Sequence, residues 1–76
     1  MKELHLKYLG KKDKCFVFLL EDTDEIIRFH HVRSELIHDF ELLTEKFTNR
    51  LFKVNFFVLD RDNITTRIIS DLLLIE

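Results

Sequence analysis

The side chains in this sequence best suited to chemistry are four histidines, His5, His30, His31 and His38, and one cysteine, Cys15. Imidazole and thiolate are zinc ligands when geometry brings three or four together. His30 and His31 are adjacent in a segment that reads as a strand, so they point to opposite faces and cannot chelate as a pair. No Cys-x-x-Cys or His-x-x-x-His spacing is present. The pattern therefore fits half-buried or surface histidines, and no metal is expected.

Other constellations fare similarly. Glu21, Asp22, Asp24 and Glu25 crowd one short segment, and Asp60 and Asp62 another. Asp60-x-Asp62 faintly echoes a calcium loop, but the glycine and terminal glutamate of such a loop are missing. Both segments fit solvated turns. Cys15 opens an apolar run beside Lys14 and fits a small packed hydrophobe better than a nucleophile. With a single glycine, Gly10, the chain cannot hold a phosphate loop, a dinucleotide fingerprint or a serine elbow. No catalytic residue and no cofactor is expected, and the chain reads as a non-enzyme.

The elements that must position these residues follow from periodicity. Leu4, Leu6 and Tyr8 alternate with His5 and Lys7, the period-2 pattern of a half-buried strand. A turn is expected over Gly10 to Lys14. Cys15 to Leu20 is apolar on both faces, as in a covered strand. After an acidic hairpin turn, a third strand is expected over about Ile26 to Val32, with Ile27, Phe29 and His31 on one side and Ile26, Arg28 and His30 on the other. Leu36, Phe40, Leu43 and Phe47 then recur at helical spacing, with Ser34 as N-cap and Glu35 in the first turn. Thr44 suits the cap of a second short turn, so one helix or a helix broken near Glu41 both fit.

Alternation returns with Phe52, Val54, Phe56 and Val58 opposite Leu51, Lys53, Asn55, Phe57 and Leu59. Asp60-Arg61-Asp62-Asn63 is a turn cluster. In the last strand, Thr65 to Ile75, apolar residues change parity: Ile68, Leu72 and Leu74 against Ile69, Leu73 and Ile75. A bulge near Ser70-Asp71 reconciles them. The predicted fold is mainly β (α+β), a small five-stranded OB-like barrel of order β-β-β-α-β-β, over residues 1–76 as a single domain.

Length and composition bound the rest. A chain of 76 residues buries only about 60% of its unfolded surface on folding. It meets that limit with 46% hydrophobic residues and eight phenylalanines. Its longest apolar run, six residues, falls far short of the ~20 a spanning helix needs. A lone thiol without a signal peptide fits a soluble protein of the reducing cytoplasm. The net charge of −2 gives no general pull toward duplex DNA.

The stretch Phe47-Thr48-Asn49-Arg50-Leu51-Phe52-Lys53-Val54-Asn55-Phe56, followed by Arg67-Ile68-Ile69-Ser70-Asp71-Leu72-Leu73-Leu74, resembles the second half of short uncharacterised bacterial proteins. The hairpin from Phe16 to Phe29 around its acidic turn is similar to their first half. The likeness covers most of the chain and rests on alternation and turns. It implies a bacterial origin and carries over no activity. Asn49-Arg50 departs from it, standing where a Gly-Lys turn belongs.

Two functional classes remain. Val17, Leu19, Phe57, Leu59, Leu73 and Ile75 exceed what one buried face needs. Exposed together, they would mark an interface. A protein partner or a symmetric homodimer is the expected use, with Val17, Leu19, Phe57, Leu59 and Leu73 as contacts. The alternative is weak binding of single-stranded nucleic acid by an OB-like groove. Lys11, Lys12, Arg28, Lys53 and Arg67 would hold phosphates, and Phe57 or Tyr8 would stack on bases.

Overall fold

The structure, a computed structural model, describes residues 2–76. Its first strand, β1, runs Lys2–Lys12 and pairs antiparallel with β2, Cys15–Leu20. Lys12 pairs with Cys15, so the turn is only Asp13-Lys14. Both residues have positive φ, 50° and 66°, the two-residue geometry whose twist matches the flanking strands. The expected turn over Gly10 to Lys14 is thus shorter. Gly10 lies inside β1, beside a bulge that leaves Leu9 unpaired, and its φ of 120° is one that side chains rarely adopt. A Cβ there would meet nothing, so the requirement is backbone conformation and not space.

A four-residue turn, Glu21 to Asp24, joins β2 to β3, Glu25–Phe29. The chain bends at His30 and continues as the two-residue β4, His31–Val32. After α1, Ser34–Asp39, and a run of turns, β5 (Leu51–Arg61) and β6 (Ile64–Leu74) form a long hairpin. Its turn, Asp62-Asn63, repeats the double positive φ of the first hairpin. Asn55 pairs with Asp71 and Phe56 with Ile69, leaving Ser70 as the bulged residue. Its hydroxyl donates to the Asn55 carbonyl at 3.2 Å. The bulge puts Ile69, Leu72 and Leu74 on the core side together, as the change of parity requires.

The fold is mainly β, but it is not the five-stranded OB-like barrel of the sequence expectation. Residues 2–76 form a six-stranded sheet of order β3-β2-β1-β5-β6-β4, antiparallel except where β4 pairs parallel with β6. The bend at His30 is the physical reason: it splits the expected third strand. Its first part pairs with β2, and only its last two residues pair with β6. Because β3 and β4 stand at opposite ends of the sheet order yet one residue apart, the sheet must curl to bring those ends near each other, without closing into a barrel. At that seam the His30 amide donates to the Arg67 carbonyl (3.0 Å), and the Arg67 amide donates to His30 Nδ1 (3.2 Å). The bend also resets parity. Val32, not His31, packs against the core.

The helix is six residues long, and Arg33 rather than Ser34 is its N-cap. It ends where Glu41 takes a φ of 46°. The Leu42 amide donates to Ile37 and the Glu41 amide to His38, the paired bonds of a Schellman C-cap. No second helix follows among the described residues. Thr44 Oγ1 instead donates to the Glu41 carbonyl and accepts from the Lys46 amide. Leu42 is therefore buried and Leu43 is 64% exposed, which reverses the expected stripe.

The curl encloses an aromatic core. Phe18 lies 5.0 Å from Tyr8 and 5.4 Å from Phe29, and Phe29 lies 5.0 Å from Phe56, mostly edge to face. Phe40 and Phe47, from the segment around and after α1, close on Phe52. Such pairs add about 0.5–1.5 kcal/mol each beyond area burial, which suits a domain this small. Among the described residues, seven of eight phenylalanines lie in the core or against it; Phe57 is the exception.

Candidate association surface

Phe57 is outside because β5 alternates without interruption, which sets it on the face opposite Phe56 and Val58. On β5 the inward set is Phe52, Val54, Phe56 and Val58, all in the core or against it. The outward set runs Lys53, Asn55, Phe57, Leu59 and Arg61. Their partners on β6 are Leu73, Asp71, Ile68, Thr66 and Ile64. The middle of this face is polar, since Asn55 and Asp71 oppose each other and Lys53 pairs with Glu3 at 3.1 Å. Beyond the bulge it becomes apolar: Phe57 opposes Ile68, Leu59 opposes Thr66, and Ile64 sits across from Arg61.

The hairpin also outruns the core. Val58, opposite Arg67, is the last inward residue of β5 packed on the core; from Leu59 to Thr65 every residue is exposed. This tip is a two-stranded ribbon with a polar inner side, where Thr65 Oγ1 donates to Asp60 Oδ1 at 2.7 Å. Its outer side carries Leu59, 52% exposed, and Ile64, 67% exposed. Phe57 and Ile68 are half-buried beside them, and β4 sets His31 next to Ile68. Leu59, Ile64, Ile68 and His31 border a shallow depression of about 500 Å³.

The expected contact residues divide accordingly. Phe57 and Leu59 belong to this surface. Leu73 is 57% exposed but stands across from Lys53, on the far side of the polar middle. Val17 is only 3% exposed, in register between Gly10 and Arg28, and it does not join the core cluster. Leu19 is half-buried beside Lys7, whose ammonium lies 3.6 Å from Glu21. Ile64, Ile68 and His31 were not among the expected residues. Ile68 shares sequence parity with Leu72 and Leu74, and only the bulge turns it outward.

The basic residues do not gather in one groove. Lys11 and Lys12 are exposed at the first hairpin, Lys11 Nζ lying 5.4 Å from the Phe16 ring centroid. Arg28 is exposed on β3, opposite Val17. Lys53 lies on β5, opposite His5 of β1, and is held by Glu3, while Arg67 is half-buried at the seam with His30. Tyr8 offers no stacking face, being fully buried with its hydroxyl donating to the Leu42 carbonyl at 2.7 Å. Burial pushes its phenol up to about 12. Among the described residues, no three His, Cys, Asp or Glu side chains gather as a metal-ligand set. Nor is any helix there long and apolar enough to cross a membrane.

Compared with protein-family models, curated proteins and solved structures, the chain matches none of them.

Proposed function

We propose that the protein is a non-enzymatic interaction module that docks through the outer side of the β5–β6 tip. The observation that carries this reading is the contiguous apolar set Phe57, Leu59, Ile64 and Ile68 on a ribbon that extends past the core. Apolar side chains of this size, grouped and exposed on a folded sheet, mark contact surfaces. The large ionisation shift at Tyr8 follows from its burial in the core. The alternative of weak single-stranded nucleic-acid binding has less support, because Lys53 is ion-paired and Tyr8 is enclosed.

The test is photo-crosslinking inside the organism that encodes the chain, from a photoreactive residue at position 64. The same residue at position 43, where Leu43 is as exposed as Ile64 but lies near α1, is the control. Discrete adducts from position 64 and none from position 43 are expected. Equal adducts, or none from position 64, would contradict the reading.

A further inference from the structure

Resting on that reading of the surface, we propose that its occupant is a second copy of this chain, related by a twofold axis at the β5–β6 tip. The argument is the charge pattern around the apolar set. Arg61 and Asp62 are adjacent at the tip, and neither has an ion partner in its own chain among the described residues. Asp60 differs, since its carboxylate already accepts from Thr65. A purely acidic partner would leave Asp62 facing like charge, and a purely basic one would do the same to Arg61. A twofold contact uses the same patch on both sides, so it can set Arg61 of each copy against Asp62 of the other.

In that arrangement Leu59 and Ile64 of the two copies cover each other and exclude water from both. The charged pairs lie at the rim, where they fix register and orientation more than they add affinity. The patch is far smaller than the roughly 20–30 residues a side of a stable standard interface, which makes the pair weak and transient.

Sedimentation velocity over a concentration series tests this with Leu59→Lys, Arg61→Asp and Asp62→Lys. Lysine at 62 is compatible with the turn, since Lys14 already takes a φ of 66° in the first hairpin. The wild type is expected to shift from monomer toward dimer as concentration rises, and Leu59→Lys to stay monomeric. Arg61→Asp and Asp62→Lys should each weaken the dimer by about tenfold or more. Mixing the two restores it, because every rim contact in the mixed pair again joins opposite charges. A wild type that sediments as a 9.3 kDa monomer throughout, or a mixture no better than its components, overturns the proposal. Crosslinking from position 64 then separates the two ideas. An adduct with a different chain keeps the docking surface and rejects the second copy; no adduct rejects both.

Discussion

The Tyr8 hydroxyl donates a 2.7 Å hydrogen bond to the Leu42 carbonyl oxygen, and both residues are buried. The bond ties an interior strand of the sheet to the chain just past α1, across 34 residues of sequence. Tyr8→Phe keeps the ring but leaves that carbonyl without its partner in a dry site. Such an orphaned group costs about 1–3 kcal/mol. Urea unfolding is expected to show a lower midpoint with an unchanged slope.

The same residue sets an alkaline limit. Burial raises the Tyr8 phenol from 10.0 to about 12, so between those values the folded chain holds a proton that the unfolded chain has lost. Its contribution is therefore fully present below about pH 10 and is lost as pH rises toward about 12. Stability measured across that window should fall more steeply in the wild type than in Tyr8→Phe. Tyr8 is the only tyrosine, so tyrosinate absorbance reports it directly. Ionisation near pH 10 in the folded state would contradict the burial argument.

Glu41 occupies the Schellman position that glycine usually fills, with a φ of 46°. That conformation costs a side-chain-bearing residue roughly 1–2 kcal/mol. The exposed ion pair from Lys46, 2.8 Å long, offsets about 0.2–1 kcal/mol of it. Glu41→Gly is accordingly expected to raise stability by about 0.5–1 kcal/mol, read as a higher thermal midpoint. Glu41→Val should lower it, because a β-branched side chain fits this region worst.

Nucleic-acid affinity should be slight. With Lys53 paired and Arg67 in the seam, Lys11, Lys12 and Arg28 remain for phosphates. Three contacts to a single strand give a salt slope of only about −2. Fluorescence anisotropy of a labelled oligonucleotide is expected to show at most weak binding at low salt and none at physiological salt. Tight, salt-resistant binding would reverse the order of the two functional readings.

Much of the sheet was legible in the residues. Cys15 to Leu20 is a strand as its apolar run implies, and the parity change in the last strand locates the bulge at Ser70. The end of the helix was half legible: a break near Glu41 was one of two readings, and no glycine marked it because Glu41 itself takes the positive φ. The split of the third strand was hidden because His30 carries no breaker chemistry, and its bend follows from pairing with a strand 37 residues away. The surface was half legible. Phe57 and Leu59 follow from alternation along β5, but Ile64 and Ile68 join them only through register across the hairpin. Val17 is buried for the same reason: alternation gives a face, and only neighbouring strands decide whether it is covered.

The most direct measurement is an amide chemical-shift map of isotopically labelled protein, compared between dilute and concentrated solution. If the tip is where two copies meet, shifts will be confined to residues 57–68 and His31, and Leu59→Lys will remove them. No concentration dependence, or shifts centred on the first hairpin and β3, would contradict the assignment of this surface to self-association.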